Sequence, residues 1–326
     1  MNAYPVSASV PTQRSLSRRQ WLIQSVATVP LFSLSLQHAW GANRIADDAP
    51  WIDAHVHVWP RFGSTYPLAD GFTERDVTPS SFTPQELLQQ CRPSGVGRVV
   101  LIQMNFFGFD NTYMLECIRR APTTFRGVAV IDHEQPDVEE RMQRLREQGV
   151  RGYRLYATAA NVAKWKTSEG IQSMFRCGAE TKQAMCLLSD PDALPGIDAM
   201  LRQHPDTPVV IDHFSRLGMK GEVGPAELDL LCRMAGWKNL SIKTSAFYAL
   251  GAKRPPYDDL APMIRRLRDA YGADRLMWAS DCPYQIELPH SYSSSIALVR
   301  DRLEFLDRRE REQMLCGTAE RIFFSE

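Results

Sequence analysis

One feature constrains this chain more than any other: beyond residue 50, short β-branched runs alternate with amphipathic segments. The runs are WIDAHVHVW (51–59), RVVLIQM (98–104), FRGVAVID (125–132), VRGYRLY (150–156), AMCLLSD (184–190), PVVIDHF (208–214), LSIKTSAF (240–247) and RLMWASD (275–281). Between them lie stretches with apolar residues at helical spacing, such as TPQELLQQCR (83–92) and PDVEERMQRLREQG (136–149). The last stretch, 294–317, is expected as one long helix. Several of these segments open with proline or with a hydroxyl or acidic cap. Eight strands, each followed by a helix, over about 280 residues match the size and rhythm of a (β/α)₈ barrel. An open doubly wound sheet would want a glycine-rich phosphate loop after its first strand, and none follows WIDAHVHVW. The expectation is a single α/β domain, a (β/α)₈ TIM barrel spanning 51–326.

The first run carries two histidines, His55 and His57, which strand alternation puts on one face. Asp53 has the same parity. Polar groups on a buried face are costly without partners, so they either meet solvent or converge on a site. In this fold, sites gather at the C-terminal ends of the strands. The polar residues there are His55 and His57 on the first strand, Gln103 on the second, and Arg154 and Tyr156 on the fourth. His213 ends the sixth, Lys243 lies in the seventh, and Asp281 ends the eighth. The barrel makes neighbours of residues that are far apart in sequence. Trp59, Phe62 and Tyr66, in the long first loop, would wall or cover such a site. Cys282 follows Asp281 and should point to the opposite face. Ser291–Ser295 reads as a helix cap.

The N-terminal 42 residues stand apart. Arg18 and Arg19 precede a weakly apolar run that ends in small residues near Ala39–Ala42. The pattern Ser-Arg-Arg-x-aromatic-Leu resembles a twin-arginine export signal and lacks the apolar length of a spanning helix. The expected organisation is a signal over 1–42, a linker over 43–50 and the barrel beyond, exported to the periplasm by the twin-arginine machinery. No membrane span is expected in the mature protein. Net charge is zero and no basic block occurs, so nucleic acid is not an expected partner. The seven cysteines include no Cys-x-x-Cys pair, and Cys186 and Cys232 read as buried hydrophobes. No disulfide framework is expected.

The His-x-His of the first run, VVIDH of the sixth and LMWASDCP of the eighth resemble the amidohydrolase superfamily. More narrowly, the chain resembles the amidohydrolase-related ("amidohydrolase 2") TIM-barrel hydrolases, near their sugar-lactone and pyrone-dicarboxylate lactonases. The likeness runs from Trp51 to Phe324 and includes RGYRL, SIKTS and MLCGTAERIFF. It implies a hydrolase acting on a small-molecule lactone or related ester. Asp281 would be the general base, and His55, His57 and His213 would donate to the developing oxyanion. Arg154 would supply fixed positive charge, and Lys243, Gln103, Tyr156, Trp59 and Tyr66 would contact substrate.

The fifth run lacks the histidine that metal-bearing members carry, and the fourth offers Arg154. A required metal is therefore not expected. If one divalent ion such as zinc were bound, His55, His57 and Asp281 would ligate it, with His213 near as a fourth. Two other readings stand beside the lactonase: a metal-dependent decarboxylase or C–N bond hydrolase of the same superfamily, and a non-catalytic periplasmic binding protein.

Overall fold

The computed structural model describes residues 50–63 and 65–325. The expected signal over 1–42 and nearly all of the linker lie outside the described residues. Eight parallel strands pair in chain order: β1 (Trp51–Val56), β2 (Val96–Ile102), β3 (Phe125–Ala129), β4 (Val150–Ala157), β5 (Ala184–Ser189), β6 (Val209–Ile211), β7 (Leu240–Thr244) and β8 (Leu276–Trp278). Each strand overlaps the run expected for it, with β2 beginning two residues earlier, at Val96, and β4 ending one residue later, at Ala157. Nearly continuous burial explains why these runs are apolar rather than alternating.

The ring closes beyond the last strand. Asp281 N–H donates to the His55 carbonyl at 2.9 Å, and His57 N–H donates to the Cys282 carbonyl at 2.9 Å. Lower in the same seam the Asp53 side chain does the work of a ladder bond, accepting Ser280 N–H at 2.9 Å. The expected parity of Asp53 is wrong. Between Asp53 and Val56 the pairing with β2 slips, three steps on β1 opposing two on β2, from Val99 to Leu101. That bulge shifts the alternation by one residue. Asp53 therefore faces outward and accepts the Tyr292 hydroxyl proton at 2.7 Å, while His55 turns inward.

Helices α1 (Pro84–Cys91), α2 (Thr112–Arg120), α3 (Val138–Glu147), α5 (Glu169–Thr181), α6 (Leu194–Gln203), α7 (Pro225–Arg233) and α8 (Ala261–Tyr271) occupy the expected segments. A further helix, α4 (Ala159–Trp165), follows β4, capped by Thr158, whose hydroxyl accepts Asn161 N–H at 3.1 Å. The expected long C-terminal helix is two. The first, α9 (Tyr292–Ala297), opens on Ser291 and runs on in a wider turn to Arg302. The second, α10 (Arg308–Glu312), restarts where Asp307 and Glu310 cap each other reciprocally at 2.8 and 3.0 Å.

The barrel interior is filled by Ile52, Ala54, Val100, Ile102, Val128, Cys186, Val210 and Met277. Phe323, near the C-terminus, joins this cluster. All seven cysteines are free thiols, and Cys232 is partly exposed rather than buried. Among the described residues, no helix is long and apolar enough to cross a membrane.

Candidate active site

Two backbone departures bring the polar groups together. After β6, His213, Phe214, Ser215 and Arg216 all hold positive φ, between 53° and 57°. None is glycine, and the left-handed conformation costs roughly 1–2 kcal/mol per residue. Tertiary contacts hold the turn: Ser215 Oγ lies 2.7 Å from Ser189 Oγ, and Arg216 pairs with Asp190 at 2.6 Å. The turn lets successive residues, Asp212 and His213, both reach His55, which a continuing strand would forbid. Asp281 is likewise left-handed, at φ 63°.

Asp281 is the hub. Its Oδ1 lies 3.2 Å from His57 Nε2 and 3.4 Å from His55 Nε2. Its Oδ2 accepts the Tyr248 hydroxyl proton at 2.7 Å, with His213 Nε2 at 3.9 Å. Burial pushes the Asp281 carboxyl up, but the imidazoles of His213, His57 and His55 outweigh it and hold the group far below the usual carboxylate range. Burial lowers both His213 and His55, the latter well below an ordinary imidazole, with the Lys243 charge adding to the effect. The resting site is an ionised Asp281 facing neutral imidazoles at His55 and His213.

Beneath this layer lies a second charged pair. Lys243, fully buried, sets its Nζ 3.0 Å from Asp212 Oδ1 and 3.1 Å from His55 Nδ1. Asp212 is also fully buried, and no aligned hydrogen bond reaches either of its oxygens. Burial raises its carboxyl, but the Lys243 charge overrides that and holds it well below the carboxylate range. Lys243 was expected to contact substrate. Its place below His55 rules that out: a side chain with no exposed surface supports the histidine instead.

Arg154 is only 7% exposed, and its Nε and Nη1 have no hydrogen-bond partner. Its guanidinium lies 5.6 Å from the centre of the Tyr156 ring, which is half-buried beside it. Burial would lower its proton affinity, but Tyr156, Asp212 and Asp281 outweigh that and raise it. A buried cation with two idle donors is a standing demand for an anion.

The remaining expected contacts lie outside the cluster. Trp59 has no exposed surface. Its indole donates to the Pro79 carbonyl at 2.9 Å, and its ring packs on Phe106 and Tyr284. It is wall packing rather than a substrate contact. Gln103 spends its amide on the Asp110 carbonyl, bracing the loop after β2. Tyr66 packs edge-on against Tyr113 at 5.1 Å, over α2. Phe62 packs on Phe106 and Phe107.

A family model described as amidohydrolase matches residues 52–324. The chain belongs to the amidohydrolase family. It is 27% identical to a 4-sulfomuconolactone hydrolase of Rhizobium radiobacter over 71% of this chain and 75% of the relative. It is 26% identical to an L-fucono-1,5-lactonase of Burkholderia ambifaria over 71% of this chain and 80% of the relative. Its fold superposes with a TM-score of 0.71 on a probable 2-pyrone-4,6-dicarboxylic acid hydrolase of Acinetobacter baumannii. That match, at 24% identity, covers 85% of this chain and all of the other.

This amidohydrolase also has a group of potential metal donors. Atoms of His55, His213 and Asp281 all lie within 4.8 Å of one another. That set takes His213 where the sequence suggested His57. His57 itself points Nε2 toward Asp281 and places Nδ1 2.8 Å from the Ile102 carbonyl, the second bond typical of a histidine ligand. His55 differs. The Lys243 ammonium faces its Nδ1 at 3.1 Å, leaving Nε2 as the nitrogen turned toward Asp281. Asp212 and Tyr248 had not been singled out from the sequence. Asp212 was hidden by the assumption of strand alternation, and Tyr248 lies one residue beyond LSIKTSAF in a loop without periodicity.

Proposed function

We propose that this amidohydrolase cleaves a lactone bearing an anionic substituent, using water activated by Asp281 and no required metal. The observation that carries the reading is Arg154, a buried guanidinium with two unpartnered nitrogens among the electrostatic neighbours of Asp281. The two curated relatives are named for lactone hydrolysis, and one of those lactones bears a sulfo group by name.

The chemistry follows from the layout. Water attacks the lactone carbonyl while Asp281 takes its proton. The ring C–O bond then breaks, and the same proton returns to the leaving alkoxide, giving a hydroxy acid. A carboxylate held as low as Asp281 is a weak base, but it is always ionised and gives up the proton readily. Arg154 and the histidine N–H groups meet the charge that develops on the carbonyl oxygen. The expected export signal supports a periplasmic site of action, reached through the twin-arginine machinery.

The test is hydrolysis of neutral and anionic lactones, read with a pH indicator, before and after exhaustive dialysis against a chelator. Retained turnover of an anionic lactone supports the proposal. The His55, His213 and Asp281 grouping favours one second reading, a metal-dependent decarboxylase or C–N hydrolase. Activity abolished by chelation and restored by zinc would select it. On Arg154→Met, KM should rise for anionic lactones if the arginine holds the substituent, and kcat should fall for all lactones if it holds the oxyanion.

A further inference from the structure

We infer that Lys243 and Asp212 form a buried positioning device that fixes the tautomer of His55 and so keeps it from binding a metal. The inference rests on the metal-independent reading above and supplies a physical cause for it.

The argument starts from donors and acceptors. An ammonium has three protons and no lone pair, so whatever it meets must accept. Lys243 Nζ meets the Asp212 carboxylate at 3.0 Å and His55 Nδ1 at 3.1 Å. Nδ1 must therefore be the bare nitrogen of a neutral His55, and the proton sits on Nε2. At the other end, His57 Nδ1 lies 2.8 Å from the Ile102 carbonyl, which can only accept. His57 is thus protonated on Nδ1, and its Nε2 is bare when the ring is neutral. The two Nε2 atoms lie 3.2 Å apart, with Asp281 Oδ1 3.2 and 3.4 Å from them. One proton, carried by His55, serves both acceptors. The chain runs in one direction, Lys243 to His55 to His57 and Asp281, with no donor facing a donor; the bare His57 Nε2 and Asp281 Oδ1, 3.2 Å apart, are bridged by the His55 proton they share.

Reversing the first link reverses the chemistry. Asp212 Oδ1 lies 3.5 Å from His55 Nδ1 and would accept its proton if Lys243 were absent. His55 would then present a bare Nε2 beside His213 and Asp281, with a carboxylate behind it, the arrangement that strengthens histidine ligands. Lys243 is accordingly a positioning residue acting through His55. The Phe323 ring, 5.6 Å from Nζ, packs against the ammonium in the barrel interior.

Two measurements test this. The first is the nitrogen-15 spectrum of histidine-labelled, chelator-treated wild-type protein, with His55 assigned by comparison with His55→Gln. A His55 ring protonated on Nε2 and bare on Nδ1 is expected. A ring protonated on Nδ1 overturns the inference. The second is zinc affinity by competition with a chromophoric chelator. Lys243→Met should bind zinc about 10- to 100-fold more tightly than wild type, the range typical of a carboxylate gained behind a ligand. Equal affinities in a folded variant would also overturn it. The first measurement needs no Lys243 substitution, so it decides the matter even if the uncompensated Asp212 prevents Lys243→Met from folding. Neither readout uses lactone turnover. A wild-type protein that shows the expected tautomer but hydrolyses no lactone refutes the proposed reaction and leaves the positioning role standing.

Discussion

Tyr248 donates its hydroxyl proton to Asp281 Oδ2 at 2.7 Å, tying the loop after β7 to the loop after β8. Burial, reinforced by the neighbouring carboxylate, raises the phenol well above its ordinary value, so Tyr248 remains a donor throughout the neutral range. With the His55 Nε2–H on Oδ1, this bond fixes both the position and the rotation of the carboxylate.

Tyr248→Phe tests that bond directly. A hydrogen bond to a charged group contributes about 1.5–3 kcal/mol. If that much is realised in the transition state, kcat falls about 10- to 100-fold, and the thermal unfolding midpoint falls by several degrees because the buried carboxylate loses a partner. Unaltered kcat would make Tyr248 wall packing and nothing more.

The pH profile has a defined sign. Asp281 is held below the carboxylate range, and His55 and His213 are lowered from the imidazole value of about 6.5. The active pairing of ionised Asp281 with neutral imidazoles should therefore persist as pH falls through 6.5. It is lost only when those histidines take up protons at lower pH. The log of kcat/KM against pH should be level near neutrality, with an acid limb centred below 6.5. A midpoint at 6.5 or above would show that these rings titrate as if exposed.

The strands and the rim were legible in the sequence because buried parallel strands are apolar along their length and end in the polar residues that matter. His55, His57, His213, Arg154 and Asp281, singled out in this way, lie together in the structure. Deviations from ideal geometry were not legible. Asp53 escaped because the bulge that turns it outward depends on its own side chain, which accepts His55 N–H at 3.2 Å. Asp212 escaped because a left-handed turn without glycine gives no sequence signal and is held by Ser189 and Asp190 from another strand. The break in the C-terminal helix was readable. Asp307 followed three residues later by Glu310 is a helix-start pattern inside a segment taken as continuous.

The proposed export can be tested apart from catalysis. Residues 1–45 fused to a reporter that folds in the cytosol should carry it to the periplasm, because Arg18 and Arg19 precede a weakly apolar run. Replacing both arginines by lysine keeps the charge and should block transport. Undiminished export of the double variant would remove the twin-arginine assignment.

The decisive substitution for the reaction is Asp281→Asn. The side chain keeps its shape and still offers Oδ1 to a donor, so the ring closure through Asp281 N–H and the His55 carbonyl is untouched. What disappears is the charge and the site that takes the proton of water. General acid–base groups contribute about 10²–10⁴-fold, and kcat on a lactone should fall within that range while far-ultraviolet dichroism stays unchanged. One complication has a definite direction. An asparagine NH₂ turned toward Tyr248 would set donor against donor, so Tyr248→Phe in the Asp281→Asn background should cost less than in wild type. A single variant with near-normal turnover would pass the role of base to one of the histidines, His213 first, because its Nδ1 is already fixed by Ser245 at 2.7 Å.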